Sequence, residues 1–411
     1  MKRKKALSNR RSVKGDGKMQ IVFLTNFLTP HQIDLYRSFI SNKSIEFYFI
    51  ECVETDKTAL PIGWRSETDM LDNLVTYGQL HKDFKHYRDL IDSSDAVIIG
   101  SAPDSLIENR LKLNKLTFKY AERFYKTGFK ASGYLRNMLA AWLHHGRFQK
   151  YPLYMLCASA YTAADCAKFG NYKNRCYKWG YFPELKKYDG VNALIQNKAA
   201  NSLLWAGRLI DFKHPELAVW VAKRLKTEGY SFKLNIIGTG ELEERLRTQI
   251  KQEALENCVC LLGQMRPEKV REYMEQSEIF LFTSDRNEGW GAVLNEAMNS
   301  ACAVVAGSAI GSVPFLIKDG ENGFIYEDGN TDELYERVKY LLDNDTVREN
   351  VSVNAYNTII NEWNAENAAR KFVGLAQSLL DTPENPCIYE NGVCSKAEYL
   401  KDNWYSVKEV L

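Results

Sequence analysis

Residues 202–240 read SLLWAGRLIDFKHPELAVWVAKRLKTEGYSFKLNIIGTG. The run Ser202–Ala206 is apolar, has the length of a strand, and stops at Gly207-Arg208. Pro215–Lys226 follows with apolar residues at helical spacing behind a proline, the residue that suits a first helical turn. Lys233–Ile237 is a second β-rich run, closed by Gly238-Thr239-Gly240. Strand, helix and strand in one stretch predict a βαβ unit, whose two strands must be parallel.

The same alternation extends in both directions. Downstream, Glu241–Lys251 is expected as a helix, and Cys258–Leu262, Glu278–Thr283 and Ala303–Ala306 as strands. Upstream, Gln20–Thr25, Ile45–Ile50, Asp95–Gly100 and Leu153–Ala158 are expected strands, with a helix over Gln32–Ile40 and a short one over Tyr161–Phe169. Residues 109–150 read as long and helical, with an amphipathic stripe at Leu135, Met138, Leu139, Trp142 and Leu143. Arg175–Phe182 closes this first series, and the polar stretch Lys186–Asn201 reads as a linker. The expected architecture is α/β, with two doubly wound domains facing a cleft. The expected divisions are a basic leader (1–18), a first domain (19–190), a second domain (191–365), and a C-terminal helix and tail (366–411) packing back toward the first domain.

The chain has 411 residues, 45% of them hydrophobic and 26% charged, which excludes a disordered or fibrous protein. A net charge of +2 excludes a nucleic-acid binder that works through whole-protein charge, and no RNA-binding motif is visible. The charge is uneven: residues 1–18 carry +7 and residues 109–150 carry +9, with Glu122 the only acid of the second stretch, leaving −14 for the rest. Nine cysteines without a C-x-x-C pair read as reduced, mostly buried thiols in a cytoplasmic protein, without a metal framework. The N-terminus has no apolar segment of signal-peptide type, and the uncharged stretch 151–164 is too short for a membrane-spanning helix, which needs about 20 residues.

Chemistry concentrates where second-half strands end. Arg208 and Lys213 put two cations in one loop, which suits a diphosphate. The Gly238-Thr239-Gly240 turn permits close backbone approach, and Leu262-Gly263-Gln264-Met265 could hold a flat base through its backbone. The strongest element is Glu288-Gly289-Trp290-Gly291-Ala292-Val293-Leu294-Asn295-Glu296, behind the run IFLFT. Amide groups at the start of the following helix suit a phosphate. Carboxylates accept paired hydrogen bonds from vicinal hydroxyls. A full helix over this interval would separate Glu288 and Glu296 by about 12 Å at 1.5 Å per residue. A glycosidase pair stands roughly 5 to 9.5 Å apart, so two hydroxyl clamps along an extended ligand fit better.

Gly207-Arg208 with Lys213, the Gly238–Gly240 turn and Glu288-x7-Glu296 together resemble the nucleotide-sugar site of retaining glycosyltransferases of family four, which have the GT-B fold. The resemblance is specific over about 199–345 and looser in the first half. There, Thr29-Pro30-His31 and Lys178-Trp-Gly-Tyr-Phe-Pro-Glu184 are similar to members that build bacterial surface polysaccharides. It implies transfer of a sugar from a nucleotide-sugar donor, most commonly a UDP-hexose, to a glycan or lipid-linked glycan with retention of configuration. It implies that Arg208 and Lys213 hold the diphosphate, Glu288 binds sugar hydroxyls and Glu296 the ribose. Gly207, Gly238, Gly240, Met265, Gly289, Trp290, Gly291, Ala292 and Val293 then line the donor. Trp290 stands where the family often has Phe, Val293 where it often has Pro, and Asn26–His31 replaces the family's glycine-rich first loop. His31 is a candidate helper, weighed against a solvated residue at a helix start. No metal or other cofactor is expected. The two basic stretches and the aromatics of 109–150 imply an anionic membrane partner and a peripheral location at the inner face of the plasma membrane. A nucleotide-sugar epimerase of the same fold and a two-domain sugar-binding protein are the alternatives.

Overall fold

Two all-parallel sheets organise the chain. The computed structural model describes residues 17–54, 71–126, 133–384, 386 and 389–406. The first sheet comprises β1 (Met19–Thr25), β2 (Ile45–Glu51), β3 (Leu74–Val75), β4 (Ala96–Ile99), β5 (Leu116–Ala121), β6 (Leu153–Cys157) and β7 (Cys176–Lys178). Its order is β3-β2-β1-β4-β5-β6-β7. The second comprises β8 (Ser202–Ala206), β9 (Lys233–Ile237), β10 (Val259–Leu261), β11 (Ile279–Phe282), β12 (Ala303–Gly307) and β13 (Phe324–Tyr326), in the order β10-β9-β8-β11-β12-β13. Each sheet reverses direction of growth at one place, between β1 and β4 or between β8 and β11. Loops diverge there, and a crevice opens at the strands' carboxyl ends.

Those carboxyl ends face each other across the interdomain cleft. Ala160, past β6, donates its N–H to the Gly311 carbonyl past β12 (2.8 Å), and the Tyr161 hydroxyl donates to the Ser308 carbonyl. After the second domain the chain returns to the first. In the helix Ala365–Asp381, Phe372 packs its ring against Phe118 (5.0 Å), Phe39 (5.8 Å) and Trp179 (5.9 Å). The tail then runs beside β7, where the Lys178 N–H donates to the Ser395 carbonyl (2.8 Å).

Three expectations need correction. Residues 109–150 are not one helical stretch: β5 passes through the middle of the first sheet. Its strand pattern is disguised by Lys119, a buried cation made tolerable by Asp104 (2.6 Å) and the His144 carbonyl (2.6 Å). The basic charge of this stretch is also partly internal. Arg110 is wholly buried and donates to the Leu116 carbonyl (2.6 Å) and the Thr117 hydroxyl (3.0 Å), while buried Arg123 pairs with Asp402 (2.7 Å). The Lys186–Asn201 stretch is no free linker. It contains the helix Val191–Gln196, and the buried Lys198 ammonium donates to the carbonyls of Ser277 (2.8 Å), Met274 (2.9 Å) and Ser300 (2.9 Å).

Residues 1–16 of the basic leader and Cys387 lie outside the described residues. The other eight cysteines are free thiols, six of them buried. Among the described residues no helix is long and apolar enough to cross a membrane.

Candidate active site

The switch point of the second sheet gathers most of the candidate residues. The loop past β8 carries Arg208 and Lys213; the loop past β11 carries Glu288. Thr283 ties the two loops together. Its hydroxyl accepts from Trp205 Nε1 (2.8 Å) and lies 2.8 Å from the Lys213 carbonyl and 2.9 Å from that of His214. Asp285 donates its N–H to the Phe212 carbonyl (3.0 Å). His214 adopts a left-handed conformation (φ 48°) and ends the short turn that delivers Lys213. Its imidazole pKa is raised, chiefly by a hydrogen bond to Glu216 (2.8 Å).

Lys213 donates to the Glu288 carboxylate, which also accepts from the Ser284 hydroxyl (3.1 Å). Both members of the pair are largely shielded from solvent. Arg208 is exposed, and its guanidinium makes no hydrogen bond or ion pair among the described residues. Glu296 stands in the first turn of the helix Val293–Asn299, likewise without a hydrogen-bond or ion-pair partner for its carboxylate among the described residues. Burial pushes its carboxyl above the usual range; Arg271 opposes the shift and Glu184 adds to it. A bare cation, a cation–carboxylate pair and a desolvated free carboxylate thus flank one crevice. They supply charge for a diphosphate and acceptors for hydroxyls.

The glycines act mainly by close approach. At Gly238 (φ 137°) a Cβ would strike the Gly207 carbonyl, and at Gly240 it would strike Leu209. The β8 and β9 loops touch because neither residue has a side chain. Gly291 (φ 81°) turns the chain beside the Phe282 ring into the Ala292-Val293 helix start. Gly263 (φ 71°) lends its carbonyl to the Gly238 N–H (2.9 Å), and half-buried Met265 packs on the core. That carbonyl already accepts within the protein, and Met265 serves packing as well as the loop. The Trp290 ring is wholly buried between Trp363 (5.8 Å) and Tyr181 (6.3 Å), with Nε1 donating to Asn295 (2.9 Å). Its side chain belongs to the core; only its backbone can lie beside a ligand.

The first domain contributes side chains that sequence reasoning missed. Glu122 is the first residue past β5, and its carboxylate fills the space before Gly289, where a Cβ would overlap it. The Tyr181 hydroxyl donates to Glu122 Oε1 (2.6 Å), and Lys126 donates to Oε2 (2.6 Å). Burial raises the Tyr181 phenol well above its usual value, and the charges of Glu122 and Glu288 both add to the rise. His31 lies in the first turn of the helix Pro30–Ser41, its ring parallel to Tyr181 (centroids 6.3 Å, 5°). Burial lowers its pKa, so this imidazole is desolvated rather than a solvated helix-start residue. The signal available for Glu122 was its isolation as the only acid in a basic stretch.

Among the described residues no group of three His, Cys, Asp or Glu side chains forms a metal-ligand cluster. Residues 192–358 match the family of glycosyl transferases group 1. The match spans all six strands of the second sheet and the loops that carry Arg208, Lys213 and Glu288. The amylovoran biosynthesis glycosyltransferase AmsK of Erwinia amylovora is 33% identical over 137 residues, 32% of this chain and 33% of that protein. From Campylobacter jejuni, N-acetylgalactosamine-N,N'-diacetylbacillosaminyl-diphospho-undecaprenol 4-alpha-N-acetylgalactosaminyltransferase is 35% identical over 148 residues, 36% of this chain and 39% of that protein. The matched part of the chain spans 33% to 45% of the length of these and another such relative. Among solved structures, HepE from Anabaena in complex with UDP superposes with a TM-score of 0.65 at 15% identity, covering 88% of this chain and 100% of that one. Sucrose-phosphate synthase from Thermosynechococcus elongatus superposes at 0.60 and 12% identity, covering 89% and 100%. These likenesses fix the fold as GT-B.

Proposed function

We propose that this chain is a retaining hexosyltransferase that moves a sugar from a nucleotide-sugar, most simply a UDP-hexose, to a glycan or lipid-linked glycan of a cell-surface polysaccharide. The observation that carries this reading is the unpartnered Arg208 beside the Lys213–Glu288 pair, with Glu296 free, at the switch point of a group 1 glycosyltransferase domain. When the donor enters, Lys213 exchanges the Glu288 carboxylate for the diphosphate, and Glu288 is released to accept sugar hydroxyls. Glu296 accepts from the ribose. Arg208 and Lys213 stabilise charge as the bond from C1 to the phosphate oxygen breaks and its electron pair leaves with the diphosphate. The acceptor oxygen bonds to C1 on the same face, and its proton passes to a diphosphate oxygen. Fixed charge at the developing anion supplies the catalysis, so no metal is needed.

A lipid-linked acceptor and a UDP donor are supported by two similar proteins, the Campylobacter jejuni transferase named for a diphospho-undecaprenol and HepE in complex with UDP. The membrane partner is supported by the helix Tyr134–His144, which leaves Leu135, Met138, Leu139, Trp142 and Leu143 exposed, between 40% and 73%. Only Ala141 of that helix is buried. Arg136 of the same helix is exposed, and an apolar face with a cation suits the interface of an anionic bilayer at the inner face of the plasma membrane.

The test is a panel of UDP- and GDP-hexoses with lipid extract as acceptor, with and without EDTA, and the product's anomeric configuration read by NMR. Acceptor-dependent release of nucleoside diphosphate, insensitive to EDTA and with retention, is expected. No turnover with any donor would remove the function; inversion or a strict metal requirement would remove the mechanism.

A further inference from the structure

We infer that Glu122 is a second carboxylate on the transferred sugar, contributed by the first domain, and that with Glu288 it restricts the donor to uncharged, hydroxyl-bearing sugars. The inference rests on the nucleotide-sugar reading above and adds the substrate class and the residue that selects it.

Glu122 is placed by the fold rather than by chance on a surface. It follows β5, and the loops past β5 and β11 meet where its carboxylate covers Gly289. Gly289 adjoins Glu288, so carboxylates from two domains flank one short piece of backbone. Tyr181 joins them: it donates to Glu122 Oε1 (2.6 Å), and its phenol is within electrostatic range of both acids. Glu122 keeps about a quarter of its side chain accessible (25%), so it is open to a ligand, unlike the core residues around it.

The charge pattern selects the ligand. Lys126 balances Glu122 and Lys213 balances Glu288. A bound diphosphate takes Lys213, which leaves Glu288 an acceptor-only group near another acceptor-only group. Glu122 keeps Lys126 and Tyr181, but Glu288 keeps only Ser284, and a second carboxylate nearby favours a ligand that places donors between the two. Hydroxyls of a hexose, or the hydroxyls and amide of an N-acetylhexosamine, provide those donors. The carboxylate of a uronic acid would add a third negative charge and no donor. Glu122 therefore acts at the sugar and not at the nucleotide.

Calorimetry with wild type and Glu122→Gln separates these possibilities. The probes are UDP and GDP, their neutral hexose and N-acetylhexosamine conjugates, and the uronate counterpart of whichever conjugate binds best. The variant should bind the bare nucleotide as wild type does, while the neutral conjugate weakens about tenfold, the size of one charge-assisted hydrogen bond. Its preference for the neutral conjugate over the uronate should narrow by a similar factor. Unchanged affinity for every probe overturns the inference, and so does equal weakening of nucleotide and conjugate, which would mark a structural role. Tyr181→Phe, which strips one partner from Glu122, should weaken the conjugate and spare the nucleotide; it carries the test if Glu122→Gln fails to fold. A wild type that binds no conjugate at all defeats the nucleotide-sugar reading itself, a result distinct from any effect of Glu122.

Discussion

Glu296 is a carboxylate held half out of water with no hydrogen-bond or ion-pair partner among the described residues, a costly arrangement unless a ligand supplies donors. Assigned to the ribose, it predicts that Glu296→Ala weakens the nucleoside diphosphate by about 1.5–3 kcal/mol, read by calorimetry. Unchanged affinity removes it from that role. A second residue-scale prediction concerns His145, hydrogen-bonded to the Tyr172 hydroxyl (2.9 Å). Burial, assisted by Lys119, pushes this imidazole down to about 3. The unfolded chain takes up a proton near pH 6.5, where the folded chain does not. Stability is therefore lost as pH falls below about 6.5, by about 2 kcal/mol at pH 5. Thermal unfolding at pH 7 and pH 5 should show this loss in wild type and a smaller one in His145→Gln; equal losses would clear His145. Arg208, Lys213 and Glu288 could be placed from sequence because apolar runs mark where β8 and β11 end, and the structure puts all three in the loops that follow. Glu122 and Tyr181 could not, because they are 59 residues apart and meet only through the folded first sheet.

At the scale of elements, strands with continuous apolar runs were legible. β8 and β9 occupy the ranges their sequences suggest. β5 was hidden by Lys119, whose buried charge is neutralised by Asp104, and β3 and β13 are two and three residues long, too short to carry a period. The stripe on Tyr134–His144 was visible, but periodicity alone cannot say whether an apolar face points inward. Here it points outward. That element carries the third prediction. Leu139→Glu with Trp142→Glu should abolish sedimentation with anionic vesicles. The melting temperature should barely move, because exposed positions change stability by about 0.5 kcal/mol or less. Wild-type binding should also survive moderate salt in part, since the apolar face is not screened as charge is. Vesicle binding that persists in the double variant would assign docking elsewhere.

At the scale of the whole molecule, two sheets of related order turn their carboxyl ends toward one cleft, and the tail straps across it. Asp402 pairs with Arg123 of the first domain (2.7 Å) and with Arg286 of the loop past β11 (3.1 Å). Trp404 Nε1 donates to the Tyr161 hydroxyl (2.9 Å), which itself reaches the Ser308 carbonyl of the second domain. The trailing helix and tail were expected to pack back toward the first domain; the contacts that Phe372, Asp402 and Trp404 make there were not legible, since nothing local encodes the surface they meet. The central claim is that a nucleoside diphosphate binds between Arg208 and Lys213, and calorimetry tests it most directly. The better of UDP and GDP should be titrated, with its monophosphate and its nucleoside, into wild type and Arg208→Ala in EDTA. The account predicts one diphosphate bound per chain, tighter than the monophosphate or nucleoside, weakened about tenfold in Arg208→Ala while nucleoside affinity stays put. No diphosphate binding, or equal affinity for diphosphate and nucleoside, would contradict it.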